Sequence, residues 1–203
     1  MPGQVLPPQD KLLLFTRFPV PGRSKPHLID ALGAKGAAEY QRSLTEFTLR
    51  QVREQASSRE AELIIHYSGG SEAEFRAWLG EHCRYREHAK GDFGARLAAA
   101  FAAALSEDPP GSARAVALCL DNPEADPRVL DQAFELLAER RVVFGMPSDG
   151  GLFLVGLSRP APGLFEDIPW QTETVQEALL ARAKALGLSV SLTQAPMPVL
   201  EAG

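Results

Sequence analysis

Short apolar runs alternate with longer segments of helical periodicity along almost the whole chain. The runs at residues 11–18, 61–69 and 113–121 have the length and the flanking residues of buried strands, and segment 92–105 carries a large apolar side chain at every fourth position. Strands that alternate with helices of ten or more residues are joined by crossovers, which give a mostly parallel sheet covered on both faces. The pattern predicts an α/β fold in three layers.

A long helix is expected near the start of the chain, over about residues 33–55. Its apolar positions, Tyr40, Leu44, Phe47 and Val52, fall near helical spacing, and charged residues lie between them. This spacing is typical of an amphipathic helix.

One connection does not fit a purely parallel sheet. The segment 146–156, MPSDGGLFLVG, joins two strand patterns through Ser-Asp-Gly-Gly, which is typical of a hairpin turn and too short for a helical crossover. We therefore predict a mixed sheet with one antiparallel strand.

Composition and charge exclude several classes of protein. The chain has 203 residues, of which 45% are hydrophobic, and we expect one domain over residues 1–203 with its core at about 10–195. A formal net charge of -5 argues against binding to nucleic acid or to anionic lipid by bulk attraction. Two cysteines cannot build a disulfide framework, and no segment resembles a signal peptide or a membrane span. We expect a cytoplasmic protein, and no feature of the sequence specifies its oligomeric state.

Cationic side chains follow the first predicted strand. Arg17, Arg23 and Lys25 lie in a proline-rich loop. Ligands of open α/β sheets bind beyond the carboxyl ends of the strands, so this loop is a candidate anion site. It matches neither a Walker-A loop nor a G-x-G-x-x-G fingerprint, and solvated surface charge is the alternative interpretation of Arg23 and Lys25.

Acidic side chains follow two other predicted strands. Asp121 ends the strand at 113–121, and Asp149 follows the next strand, directly before Gly150 and Gly151. Cations after one strand and acids after two others suit an enzyme that holds a phosphorylated substrate and a divalent metal. The alternatives are a helix cap or turn for Asp121, and a turn for Asp149.

Other polar and aromatic residues have both a structural and a functional interpretation. Asp92 precedes the helix at 92–105, where capping of the helix is the alternative to ligand binding. Trp170 is either a core residue or a stacking surface. The four histidines have no metal-ligand spacing, and we interpret them as surface or packed residues.

Five segments resemble one bacterial family in their order and spacing. They are RFPVPGRSKPHL, KGDFGARLAAAF, LDNPEADPRVL, PSDGGLFLVGL and FEDIPWQTETV, and the resemblance spans roughly residues 10–190. The family is the glycosyltransferase-like group called radical-SAM/selenodomain-associated transferases, within the nucleotide-diphospho-sugar transferase superfamily. The resemblance implies a Rossmann-like mixed sheet of the glycosyltransferase A type, with a nucleotide at its carboxyl edge.

The resemblance also implies roles for individual residues. The basic loop would face the nucleotide phosphates, Asp121 would bind a divalent metal such as Mg²⁺ or Mn²⁺, and Asp149 would face the acceptor or the metal. The remaining residues of the implied nucleotide site are Arg17, Arg23, Lys25, Asp92, Arg96, Gly150, Gly151, Trp170 and Thr172.

The implied function is a metal-dependent transferase that uses a nucleotide-activated substrate such as a nucleotide sugar. Sugar transfer is slightly favoured over nucleotidyl transfer, since both break a bond at a metal-bound diphosphate or triphosphate. The alternative is a degenerate member that binds nucleotide or regulates without catalysis. Two departures motivate it: Pro26 and His27 stand where the family has Thr-Arg, and the acid after the last predicted strand is Glu201 where the family has Asp-x-Asp-Thr-Pro.

Overall fold

A seven-stranded sheet forms the centre of the structure. The computed structural model describes residues 9–109, 111–119, 127–147, 151–170 and 172–193. The strands are β1 (Gln9–Arg17), β2 (Glu62–Ser68), β3 (Arg84–Glu87), β4 (Ala113–Cys119), β5 (Val142–Gly145), β6 (Leu154–Leu157) and β7 (Val190–Leu192). They lie in the order β3-β2-β1-β4-β6-β5-β7. All run parallel except β6, which is antiparallel to both of its neighbours. The predicted mixed, mostly parallel sheet is confirmed.

Helices cover both faces of this sheet. They are α1 (Ile29–Ser58), α2 (Glu72–Leu79), α3 (Phe93–Ser106), α4 (Pro127–Leu136) and α5 (Val175–Ala185), and a short 3₁₀ turn (Pro26–Leu28) precedes α1. Buried residues of α1, α2 and α4 pack on one face, and those of α3 and α5 pack on the other. The three layers are as predicted. In the part of the chain that the structure describes, no helix has the length and apolar character of a membrane span.

The central strands are apolar on both sides because each side meets a helical layer. In β1, Leu12 and Leu14 face the layer of α1, α2 and α4, whereas Leu13 and Phe15 face the layer of α3 and α5. This alternation follows from the period of two along a strand. A strand buried on both faces reads as one continuous apolar run, which is the pattern seen at residues 11–18.

The hairpin expected from Ser-Asp-Gly-Gly is also confirmed. Gly145 pairs with Leu154 and Val142 with Leu157, so β5 and β6 are adjacent and antiparallel. Because β6 runs against the other strands, it begins at the edge where they end. The described ends of the connection between β5 and β6, Pro147 and Gly151, therefore lie at the carboxyl edge of the sheet.

The long helix predicted at about residues 33–55 is present as α1, but only two of its four regularly spaced apolar side chains are buried. Leu44 and Val52 are buried, but Tyr40 and Phe47 are exposed. The buried face instead includes polar residues, because the Thr45 hydroxyl hydrogen-bonds the Thr16 hydroxyl of β1 at 2.9 Å. The face that α1 turns to the sheet is therefore partly polar.

Candidate functional site

The loop after β1 is fixed by its own hydrogen bonds. The Ser24 side chain is buried, and its Oγ accepts a hydrogen bond from the Val20 backbone N–H at 2.9 Å. The Arg23 and Ser24 N–H groups both donate to the Val20 carbonyl. Gly22 has a φ of 79°, in the left-handed region that favours glycine. Ser24, which sequence reasoning did not single out, is thus the residue that holds the basic turn in shape.

Lys25 has an unusual backbone conformation within this loop. Its φ of 44° and ψ of 59° are left-handed, which costs a residue with a Cβ about 1 kcal/mol. Its carbonyl accepts a hydrogen bond from the Leu28 N–H, which closes the 3₁₀ turn. Lys25 is half-buried, whereas Arg23 is exposed. Strain of this kind in a loop at a strand end is typical of binding sites.

Arg17 and Arg96 are brought together at the same edge. Arg17 is the last residue of β1, and Arg96 lies in the first turn of α3 with its Nε donating to the Gly91 carbonyl at 3.0 Å. Burial of His88 is the main cause that lowers its pKa to about 4, and the charges of Arg96 and Arg17 lower it further. Both guanidinium groups therefore act electrostatically on the same imidazole.

The arginines of this edge have no acidic partner among the described residues. Arg17, Arg23 and Arg96 form no ion pair there, whereas arginines elsewhere, such as Arg59 and Arg84, bind carboxylates. Guanidinium groups without a carboxylate partner in the described ranges, beside a strained loop, give the edge a local positive charge on a chain of net negative charge. Such an edge can bind an anion.

Asp92 caps a helix. Its carboxylate accepts a hydrogen bond from the Ala95 N–H at 2.8 Å, and its backbone is extended, as an N-cap requires. Capping of the helix, the alternative to ligand binding, therefore accounts for the position of Asp92. The cap fixes the first turn of α3, and with it the position of Arg96.

Trp170 and Thr172 lie in the segment that leads to α5. Trp170 packs on the core, with its ring edge-on to Phe93 at 5.0 Å, so core packing accounts for its position. Its Nε1 is buried and has no hydrogen-bond partner among the described residues. Thr172 is exposed, and its hydroxyl donates to the Pro169 carbonyl at 2.7 Å.

The two ends of the β5–β6 connection are held by a residue that sequence reasoning missed. The Gln176 amide of α5 donates to the Pro147 carbonyl at 2.8 Å and to the Gly151 carbonyl at 3.1 Å. Gly151 itself has a φ of 94°. The predicted site residues Asp121, Asp149 and Gly150 lie outside the described residues.

The metal ligands predicted from the sequence, Asp121 and Asp149, lie in the part of the chain that the structure does not describe. Within the described ranges, no group of three or more His, Cys, Asp or Glu side chains could hold a metal ion. Asp121 and Asp149 follow β4 and β5 in the sequence, and carboxylates are the ligand type that suits Mg²⁺ and Mn²⁺.

A cluster of rings lies next to the arginines. Phe15 stacks on His66 with ring centroids 5.0 Å apart, and it contacts His88 at 5.4 Å and Phe93 at 6.1 Å. These residues come from β1, β2, the segment after β3 and α3. They share no sequence spacing, because strand pairing and the packing of α3 bring them together.

Burial of His66 makes the stability of the protein depend on pH. Burial is the main cause that lowers its pKa from 6.5 to about 4, with smaller effects of His88 and Arg86. Below pH 6.5 the His66 side chain is protonated in the unfolded chain, whereas in the folded chain it stays neutral down to about pH 4. The free energy of unfolding therefore falls as the pH drops through this range. We expect His66 to cost about 2 kcal/mol of unfolding free energy between pH 7 and pH 5.

Urea unfolding at the two pH values checks this expectation. His66→Phe keeps a ring against Phe15 and should reduce the difference between pH 7 and pH 5, whereas His82→Phe, at an exposed histidine, should leave it unchanged. Equal pH dependence in the wild type and His66→Phe would contradict it.

Solved structures share this fold. A proposed nucleotide-diphospho-sugar transferase from Desulfovibrio desulfuricans G20 is 25% identical, with a TM-score of 0.77 over 91% of this chain and 79% of that one. The 4-diphosphocytidyl-2C-methyl-D-erythritol synthase of Anaerococcus prevotii DSM 20548 is 11% identical, with a TM-score of 0.56 over 93% of this chain and 90% of that one. The manganese complex of Rv0371c from Mycobacterium tuberculosis H37Rv is 17% identical, with a TM-score of 0.51 over 94% of this chain and 92% of that one. The last two likenesses show the fold alone.

The structural likenesses confirm the nucleotide-diphospho-sugar transferase fold that the five segments predict. No curated protein matches the sequence significantly. Residues 49–172 match the family described as "Uncharacterized protein conserved in bacteria (DUF2064)". This range contains three of the five segments in full, together with the start of a fourth, FEDIPWQTETV. The chain belongs to the DUF2064 family.

Proposed function

We propose that this protein is a metal-dependent transferase that takes a nucleotide-activated substrate at the carboxyl edge of its sheet. The observation that carries the proposal is the group of Arg17, Arg23 and Arg96, which lack acidic partners among the described residues and lie at that edge beside the strained Lys25 loop. Diphosphate oxygens are the ligands that such a group of donors suits. The likeness to a proposed nucleotide-diphospho-sugar transferase favours sugar transfer over nucleotidyl transfer.

The chemistry assigned to the chain is mainly positioning and charge stabilisation. Arg17, Arg23 and Lys25 would hold the phosphates, and Ser24 and Gly22 would keep their loop in the binding shape. Asp121 would hold Mg²⁺ or Mn²⁺, which stabilises the charge on a diphosphate leaving group when bound. The manganese complex of the M. tuberculosis relative supports the choice of metal.

Calorimetric titration tests the proposal. We expect one member of a panel of nucleoside diphosphates, nucleoside triphosphates and nucleotide sugars to bind in the presence of Mn²⁺, and to bind at least about tenfold more weakly to Asp121→Ala. Arg17→Ala should weaken the same ligand, whereas Arg50→Ala, at an exposed arginine of α1, should not. Failure of every nucleotide to bind would overturn the proposal.

A second candidate is a nucleotide-binding module without catalysis. His27 favours it, because this exposed imidazole stands where the family has an arginine, and the fork of guanidinium donors is lost. This candidate requires binding that is independent of divalent metal and survives Asp121→Ala. Metal-dependent turnover of any nucleotide sugar would exclude it.

A further inference from the structure

Three buried ring nitrogens at the carboxyl edge have no hydrogen-bond partner in the part of the chain that the structure describes. They are Nε2 of His66, Nδ1 of His88 and Nε1 of Trp170, and Phe15 and Phe93 connect the three rings through aromatic contacts. His66 is only 5% exposed. Most buried polar atoms in native proteins are hydrogen-bonded, so a group of unpaired ones beside a candidate site indicates partners that a ligand supplies.

The hydrogen-bonding role of His88 follows from its neighbours. Its Nε2 lies 3.0 Å from the His66 carbonyl oxygen, which can only accept, so Nε2 carries the hydrogen. Burial and the nearby Arg96 and Arg17 keep the pKa of the ring near 4, so the ring is neutral at pH 7. A neutral imidazole with hydrogen on Nε2 has a lone pair on Nδ1. The unpaired Nδ1 of His88 is therefore an acceptor.

An acceptor at this position does not suit phosphate. Phosphate oxygens accept hydrogen bonds, and the adjacent Arg17 and Arg96 are the donors that suit them. The partner of Nδ1 must carry an N–H or O–H group. The half-buried ring of Phe93, which contacts Phe15 beside His88, favours a planar, partly apolar group that packs on it. A nucleotide base meets both requirements.

The chemistry of the bases indicates which of their N–H groups can donate to Nδ1. The ring N–H of uracil lies between two carbonyl oxygens, whose lone pairs would be brought against the lone pair of Nδ1. An exocyclic amino group offers two N–H bonds at the margin of the base. A buried acceptor discriminates strongly against an analogue that cannot donate to it, because the acceptor is then left unpaired.

We propose that His88 is a specificity-determining residue of the nucleotide site, whose Nδ1 accepts a hydrogen bond from the exocyclic amino group of the base. This proposal rests on the proposed function. It adds that the protein prefers nucleotides with an amino base, and that the histidine after β3 reads the base while the arginines bind the phosphates. The charged and titratable groups that face His88 are Arg17 from β1, Arg96 from α3, and His66 from β2.

Paired ligands that differ in one group test the proposal. Calorimetry on the full chain with Mn²⁺ compares CDP with UDP, and ADP with IDP, since each pair exchanges an amino group for a carbonyl oxygen. We expect the amino member of at least one pair to bind about tenfold more tightly or better. His88→Phe keeps a ring against Phe15 but removes the lone pair, and should bring this ratio close to one.

His82→Phe is the matched control, because His82 is exposed in the segment between α2 and β3. It should keep the ratio of the wild type. If His88→Phe fails to fold, ¹⁵N NMR of the wild type gives a second measurement: the Nδ1 signal of His88 should move upfield when the amino nucleotide is added, as the lone pair accepts a hydrogen bond.

The outcomes separate the two proposals. Nucleotide binding with equal affinities in both pairs, an unchanged ratio in His88→Phe, or an unmoved Nδ1 signal would overturn the role of His88 and leave the proposed function standing. Failure of all four nucleotides and of the wider panel to bind would overturn the proposed function, and the role of His88 with it.

Discussion

Asp10→Ala should destabilise the protein by about 3 kcal/mol or more, because it leaves two arginines without their shared carboxylate. Asp10 is only 6% exposed, near the start of β1 and at the opposite edge from the candidate site. Its Oδ2 accepts from Arg59 Nη2 at 3.0 Å, and its Oδ1 accepts from Arg114 Nε at 2.8 Å. Both guanidinium groups also lie over the Phe134 ring. Without the Asp10 carboxylate, the two partly buried guanidinium groups would repel each other.

Urea unfolding at pH 7 measures this loss. An unchanged slope of the unfolding free energy against urea concentration indicates that the transition is still two-state. Asp131→Ala is the matched control. Asp131 accepts from Arg59 Nη1 at 2.7 Å, but its side chain is 41% exposed, so its loss should cost less than about 1 kcal/mol. Equal effects of the two variants would show that burial of the Asp10 network contributes nothing.

Gly94→Ala should have the second large effect, a loss of about 3 kcal/mol from overpacking. A Cβ at Gly94 would lie 2.4 Å from the Phe165 carbonyl oxygen and 2.9 Å from Trp170 Nε1. Because the Phe165 oxygen belongs to the backbone, the clash is relieved only if α3 and the segment of Phe165 and Trp170 move apart. Because α3 also carries Arg96, the same change should weaken nucleotide binding.

Trp170 fluorescence follows this displacement directly. In a Trp78→Phe background Trp170 is the remaining tryptophan, and we expect its emission to shift to longer wavelength in Gly94→Ala as the ring meets water. Gly36→Ala in α1 is the control: its Cβ would meet only the Cβ of the exposed Leu32, at 3.1 Å, and should change stability by less than about 1 kcal/mol. An unchanged stability and emission in Gly94→Ala would contradict the tight packing of α3.

Local patterns in the sequence were sufficient for most of the fold. The capping box of Ser71 and Glu74 begins α2, and the Ser-Asp-Gly-Gly connection makes β5 and β6 neighbours. Both depend on residues close in sequence. The insertion of β6 between β4 and β5 is a pairing of distant segments, and no local pattern specifies it.

Residues of the candidate site that lie at the end of a strand were predictable from the sequence. Arg17 lies at the end of β1 as predicted, and the basic loop follows it. The pairing of β2 with β3 brings His88 to His66, although 22 residues separate them, and no spacing motif could reveal that contact. Gln176 was missed for the same reason, since its partners Pro147 and Gly151 belong to a connection far from it in the sequence.

The hydrogen bonds of Gln176 have a consequence for the order in which the site matures during synthesis. A ribosome releases the strands and helices up to β6 before it releases α5, so the β5–β6 connection emerges without the side chain that ties its two ends. β7, which pairs with β5, emerges later still. The candidate anion-binding edge, built on β1 and α3, is synthesised much earlier. We therefore expect the nascent protein to order this candidate edge before α5 ties the two ends of the β5–β6 connection.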